Sequence, residues 1–263
     1  MSKTAVIFAL DNSNNEPQYE AMSVLLVKSI LEYSTTMDIY CGVFTQRTPG
    51  DRVEMLLKDA QVNMVYDQKF TVEKDSINYF LRNYCCYYFS HEHNLLEEYD
   101  KLIYLDMDVL VMRNLVGINI PDNSVLVERV PDNILEFEKE YIGEIDHPLY
   151  YNWMTVVNEQ NKFIWDIDYT ANRYLKQSDI LVSQRINDSD LKIVDIDMGA
   201  YYPKTKLLPS TIAFHYDGFI DSGSFWKLEQ FFPQMHKKYL SYAKYILNIT
   251  QENDKRFYDY RIS

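Results

Sequence analysis

Glycine is scarce, 7 residues in 263, and no Gly-x-Gly-x-x-Gly follows the first apolar run. A dinucleotide fold therefore has no direct support, because that fingerprint brings backbone rather than side chain against a pyrophosphate. Cysteine is scarcer: Cys41, Cys85 and Cys86 make an odd count without CxxC or Cys/His spacing, which argues against a disulfide framework and structural zinc. Basic charge is short as well, 26 Lys and Arg against 39 Asp and Glu, for a net charge of −13. Affinity for nucleic acid rests on clustered cations, so that partner is not expected. No apolar run approaches the roughly 20 residues of a membrane helix. The opening run Ala5–Leu10 stops at Asp11, which suits a first strand better than a secretory signal, and a cytoplasmic protein is the expectation. Oligomeric state is not legible.

What the chain does have is periodicity and tyrosine. Thr4–Leu10 reads as a strand, and residues 11–17 carry turn chemistry throughout. From Tyr19 to Tyr33, the residues Met22, Leu25, Leu26, Ser29, Ile30 and Tyr33 recur at helical spacing. Met37–Phe44 and Val62–Tyr66 read as strands around a helix over Asp51–Lys58, giving βαβαβ, the pattern of a nucleotide-binding half in an α/β fold. Ser76–Tyr99 reads as one aromatic helix that contains a cation, Arg82. Beyond it, Ser124–Val127, Tyr150–Val157 and Lys192–Asp197 read as strands, Pro131–Tyr141 as a helix, Lys162–Leu181 as mixed or helical, and Pro233–Asn248 as an amphipathic helix. No linker or repeat interrupts 1–263, so a single domain is expected, with 1–115 as a nucleotide-binding half and 116–263 as an acceptor half ending in a helix. The 23 tyrosines offer stacking and hydroxyl contacts of the kind that suit sugars and nucleobases.

The chemistry concentrates in Lys101–Val111. Leu102–Leu105 is a short apolar run without alternation, as in a strand covered on both faces, and it meets Asp106 and Asp108. Strand alternation would send both carboxylates to one side, with Met107 on the other. Two such groups at the carboxyl end of a strand repel unless a shared proton or a cation relieves them, and a hard divalent metal is the simplest relief. Late in the chain Thr211–Phe214 delivers a second metal-capable group, His215, followed by Tyr216, Asp217 and Gly218, the glycine permitting close backbone approach. Asp195 and Asp197 read as the outer face of a half-exposed strand.

Three patches together resemble glycosyltransferase family 8, which includes glycogenin and bacterial galactosyltransferases. Tyr19–Leu25 is similar to the family's first helix, Tyr104–Val111 resembles its Tyr-Leu-Asp-x-Asp-x-x-Val, and His215–Gly218 matches the first half of its His-Tyr/Phe-x-Gly-x-x-Lys-Pro-Trp. The resemblance implies a GT-A type fold, a mixed central sheet flanked by helices, and sugar transfer from a nucleotide sugar, a UDP-sugar in the first instance, to a glycan or protein with retention. It further implies that Asp106, Asp108 and His215 hold Mn²⁺, or Mg²⁺, with Met107 inside the motif, and that this ion carries the donor diphosphate. By the same resemblance Tyr19 stacks on the base, Leu10 and Asp11 border it, and Arg82 reaches the donor. Asp221-Ser222-Gly223 stands where the family has Lys-Pro-Trp, which leaves Arg82 or Lys227 to hold the diphosphate. Asn152-Trp153-Met154 and Gln177-Ser178-Asp179-Ile180-Leu181 correspond to the family's Asn-x-Gly and Asp-Gln-Asp-Ile-Leu segments. Asn152 and Asp179 are accordingly the candidates near the reacting carbon.

Two other readings stay open at the level of sequence. A haloacid-dehalogenase phosphatase also begins its site with strand-Asp-x-Asp, but that motif opens its domain and is followed by a Gly-Thr turn. The third reading is a carbohydrate-binding relative without catalysis, motivated by the altered Lys-Pro-Trp and Asp-Gln positions.

Overall fold

The computed structural model describes residues 3–10, 17–43, 52–66, 84–132, 135, 145–167, 178–195, 199–201, 211–216 and 227–253. Strand β1 (Thr4–Leu10) is buried at every position, as its unbroken apolar sequence requires. Helix α1 (Pro17–Tyr33) starts on a proline, which needs no amide partner there, and buries Ala21, Met22, Val24–Val27 and Ile30. Strand β2 (Asp38–Val43), helix α2 (Arg52–Asp59) and strand β3 (Asn63–Tyr66) complete the expected βαβαβ. Helix α2 ends in a left-handed cap at Gln61 (φ 61°), where the Gln61 and Val62 amides reach back to the Lys58 and Leu57 carbonyls. Glycine is the usual residue at such a cap. Here Gln61, Asn94 and Asn123 all take positive φ, and the shortage of glycine is met by long or short amides.

The aromatic helix expected over Ser76–Tyr99 ends earlier than the sequence suggests, residues 76–83 lying outside the described residues. Residues 84–87 are α-helical, Tyr88–Glu92 widen into a π-helical turn, and Asn94 at φ 51° ends the helix before a 3-10 turn at Leu95–Glu97. Leu95, Leu96 and Tyr99 are buried all the same, which is why their apolarity read as helix. Strand β4 (Lys101–Leu105) and strand β5 (Val109–Val111) flank the Asp106–Asp108 turn, and β6 covers Ser124–Arg129. Tyr150–Val157, expected as one strand, is two: β7 (Tyr150–Tyr151) and β8 (Met154–Val157). A 3-10 turn at Lys162–Trp165 precedes helix α3 (Ser178–Asn187). Strands β9 (Lys192–Asp195), β10 (Gly199–Tyr201) and β11 (Ala213–His215) follow, then helices α4 (Lys227–Phe231) and α5 (Pro233–Asn253). The helix expected over Pro131–Tyr141 and the residue Asp197 lie largely or wholly outside the described residues.

The chain forms two compact units. The first comprises Met1–Ile7, Asp75–Leu105 and Ile118–Met198. In it β1 runs parallel to β4, Ile7 opposite Tyr104, and β4 pairs antiparallel with β8, Tyr104 opposite Thr155. A second sheet has β6 between β7, antiparallel, and β9, parallel. The buried Asn161 amide donates to the Val156 carbonyl at 3.1 Å. The second unit comprises Phe8–Lys74, Asp106–Gly117 and Gly199–Ser263. There β2 and β3 pair in parallel, and β11 lies between β10, parallel, and β5, antiparallel. Helix α1 packs on β5 and α5: the Ser29 hydroxyl accepts from the Val111 amide at 2.9 Å and donates to the Leu26 carbonyl at 2.7 Å. On the other side Glu32 accepts from Lys238 at 2.6 Å and from the buried Tyr239 hydroxyl at 2.9 Å. Tyr239, Ala243 and Ile246 form the buried stripe of α5 at helical spacing. Among the described residues no helix is long and apolar enough to cross a membrane.

Candidate metal centre

The geometry of the acidic pair differs in origin from the sequence argument. Strand β4 ends at Leu105; Asp106 lies outside any strand, and Met107 and Asp108 form a turn before β5 begins in a different sheet. Alternation along a continuous strand is therefore not what gathers the carboxylates. The ladder of β5 and β11 does much of that work, since Val109 pairs with His215 and the Tyr216 amide donates to the Asp108 carbonyl at 3.0 Å. Asp108 and His215 thus sit one rung apart, where regular strands would send their side chains to opposite faces; Asp108 lies in the turn, free of that alternation, and its carboxylate reaches His215.

Asp106, Asp108 and His215 converge. His215 Nε2 lies 3.0 Å from an Asp108 oxygen and 4.0 Å from an Asp106 oxygen, and one ligand atom from each residue falls within 4.8 Å of the others. His215 and Asp106 are buried and Asp108 is half-buried. An ion with ligand bonds of about 2.2 Å separates adjacent ligands by about 3.1 Å and opposed ones by about 4.4 Å; the 3.0 and 4.0 Å spacings fall in that range, and the 4.8 Å bound lies slightly beyond it. Two carboxylates and an imidazole also suit the borderline-hard character of Mn²⁺, and less well an all-oxygen ion. The donor set fits the expected metal.

The His215–Gly218 motif gives Tyr216 no role of its own. Its ring is fully buried beside the turn, and burial first, then the Asp108 carboxylate, push its phenol well above the usual tyrosine range. It stays protonated and so remains a hydrogen-bond donor at any ordinary pH. Its position directly after His215 on the ladder was the available signal.

The other expected residues are placed as follows. Leu10 is buried at the end of β1, and Met107 is half-buried in the turn. Tyr19 lies in the first turn of α1 and Lys227 opens α4. Asp11, Arg82 and Gly218 lie outside the described residues. Asn152 is buried between β7 and β8, its carbonyl accepting from the Thr155 hydroxyl at 3.3 Å. Asp179 is half-buried in the first turn of α3, where a carboxylate complements the helix dipole. Both belong to the first unit, whereas the three metal-capable residues belong to the second.

No family model and no curated protein matches the sequence. Solved structures do match the fold. The galactosyltransferase LgtC, in complex with donor and acceptor sugar analogues, superposes with a TM-score of 0.53 at 16% identity over 92% of this chain and 95% of its own. The chain has a glycosyltransferase fold. The bifunctional glycosyltransferase WbbM gives a TM-score of 0.54 at 11% identity, over 95% of this chain and 51% of its own. GlyE of Streptococcus pneumoniae TIGR4, also a glycosyltransferase, gives 0.52 at 15%, over 94% of this chain and 63% of its own. The mixed α/β architecture and the GT-A type expected from the resemblance are thereby met, with the Asp-x-Asp turn in place.

Proposed function

We propose that the protein is a metal-dependent glycosyltransferase acting in the cytoplasm. It would move a sugar from a nucleoside-diphosphate sugar, a UDP-sugar in the first instance, to a carbohydrate or protein acceptor, with retention. The observation that carries this reading is the convergence of Asp106, Asp108 and His215 within 4.8 Å on a glycosyltransferase fold. These three residues would hold Mn²⁺, or Mg²⁺, which supplies Lewis acidity toward the leaving diphosphate. Tyr216 keeps the Asp108 main chain in place through its amide. In this reading 1–263 works as one glycosyltransferase domain: Tyr19, Leu10 and Asp11 receive the base, Arg82 or Lys227 meets the diphosphate with Gly218 nearby, and Asn152 and Asp179 serve the transfer itself. A planar guanidinium bridges two phosphate oxygens where an ammonium cannot, which favours Arg82 over Lys227. The fold likeness favours this reading over the phosphatase. The departures at Asp221-Ser222-Gly223 and Gln177-Ser178 are what favour a non-catalytic binder, and donor hydrolysis separates the two.

The test is calorimetry of UDP, UDP-galactose and UDP-glucose with Mn²⁺ and with chelator. Binding is expected only with the metal, and Asp108→Ala should weaken it more than about 100-fold while circular dichroism stays unchanged. Equal affinity in chelator, or in the variant, would remove the metal from the reading.

A further inference from the structure

The first unit carries a second candidate site whose chemistry differs from the metal centre's. On α3 and its last turn, Leu181, Gln184, Arg185 and Asp188 fall at i, i+3, i+4 and i+7 and so share one face. The opposite face, Val182, Ser183 and Ile186, is buried. The shared face looks onto Phe163 and Ile167 across a groove of about 450 Å³ that Ser189 also lines. An Arg185 nitrogen 3.5 Å from the Phe163 carbonyl ties the two walls.

The lining restricts the ligand. A guanidinium and a carboxylate one turn apart cancel each other's charge, so a phosphate or a free cation gains little. The rim of amide, guanidinium, carboxylate and hydroxyl is too polar for a lipid chain. Phe163 is 37% exposed, large for an aromatic ring, and Gln184, Arg185 and Asp188 are all exposed. Among the described residues the Gln184 and Asp188 side chains make no hydrogen bond. An exposed ring beside planar groups that donate and accept in pairs matches a sugar, which offers an apolar C–H face and adjacent hydroxyls. The volume lies in the range of about 300–1,000 Å³ typical of small-ligand sites.

We propose that this groove binds a neutral oligosaccharide, with Phe163 stacking on one ring and Gln184, Arg185 and Asp188 bonding its hydroxyls. It would hold a stretch of glycan acceptor independently of donor and metal. Only the choice of ligand class rests on the glycosyltransferase reading; the groove's geometry does not.

The experiment probes the whole chain, in chelator and without nucleotide, on an array of neutral hexasaccharides of glucose and galactose, followed by calorimetry with any hexasaccharide retained. The wild type should retain at least one, Phe163→Ala should weaken it about tenfold, and Gln184→Ala should weaken it measurably. Asp108→Ala should bind it as the wild type does. Both groove positions are exposed, so both variants should fold, which thermal melting checks. No retention by the wild type, or retention unchanged in both groove variants, overturns the proposal. UDP and Mn²⁺ binding measured in parallel separates the two readings: lost donor binding with intact groove binding sinks the transferase and leaves the groove, and the reverse sinks the groove alone.

Discussion

Two apolar stretches, Lys101–Val111, whose Leu102–Leu105 reads as a strand running into Asp106 and Asp108, and Tyr150–Val157, which reads as one strand, are both broken in the folded chain, and the breaks have different consequences. In the first, the chain leaves β4 at Asp106 and resumes as β5 in another sheet, bringing carboxylates into a partly open turn beside an imidazole. In the second, β7 and β8 also belong to different sheets, but the break is filled by Asn152 and Trp153, at 3% and 2% exposure. A polar interruption of an apolar run thus marks a change of sheet in both places. Whether it also marks a site depends on what fills the bend. An indole closes it against solvent, while short acids leave room for a cation and its ligand.

The sharpest test of that distinction is Trp153→Ala. Removing a wholly buried indole should lower unfolding free energy by about 3–5 kcal/mol, read by urea titration. Mn²⁺ affinity of the folded protein should stay within twofold, since Trp153 supplies none of the three metal-capable side chains. A loss below about 1 kcal/mol would mean the indole is not what holds the bend, and the comparison would fail.

Both breaks show where sequence stopped being informative. The first five elements were legible to within two residues because their patterns are clean: Leu10 before a polar loop, and the helical spacing from Met22 to Tyr33 in α1, although Pro17, which reads as loop, opens that helix. The metal-capable trio was legible as residues, from two strand ends carrying Asp106, Asp108 and His215. Its geometry was not, because Lys101–Leu105 and Val109–Val111 are equally apolar, and apolarity does not say which sheet a strand joins. The same blindness hid the end of the aromatic helix. Asn94 in the left-handed region stops it, yet Leu95, Leu96 and Tyr99 continue the apolar pattern through a different turn. The groove along α3 went unread because Gln184, Arg185 and Asp188 look like an ordinary solvated helix face until Phe163 is set opposite them.

A smaller effect tests the anchoring of the functional break. The buried Ser29 hydroxyl accepts from the Val111 amide, fastening the far end of β5 to α1. Ser29→Ala leaves that amide without the hydroxyl and should cost about 1–3 kcal/mol. Hydrogen exchange at Val111 should quicken accordingly. If β5 is what presents Asp108, Mn²⁺ affinity should fall severalfold as well, in contrast to Trp153→Ala. Faster exchange with unchanged metal affinity would show that the turn holds its shape without β5, and would weaken the account of the first break.

The smallest effect belongs to an acid whose cation the chain itself supplies. Burial alone would raise Glu32, but the Lys238 ammonium and the Tyr239 hydroxyl outweigh it and leave its carboxyl below the usual 4.5. The hydrogen bond to Glu32, against some burial, raises Lys238 above 10.5 in turn. A depressed carboxyl contributes stability above its unfolded pKa and loses it as pH falls through the lower folded value; a raised ammonium contributes below its unfolded pKa and loses it as pH rises through the folded one. The pair should therefore act on a plateau between those limits. Both side chains are more than a third exposed, 35% and 44%, so solvent screens the pair. Glu32→Gln should cost less than about 1 kcal/mol on the plateau. The difference from wild type should shrink steadily from about pH 5 to about pH 3, followed by urea melts at each pH. Asp106 is different in kind, buried beside His215, and Asp106→Asn should register in Mn²⁺ affinity far more than in that acid limb. A Glu32→Gln deficit that persists undiminished at the acid end would mean that something other than the ionised carboxylate holds α1 to α5 there, with the Tyr239 hydroxyl the first group to examine.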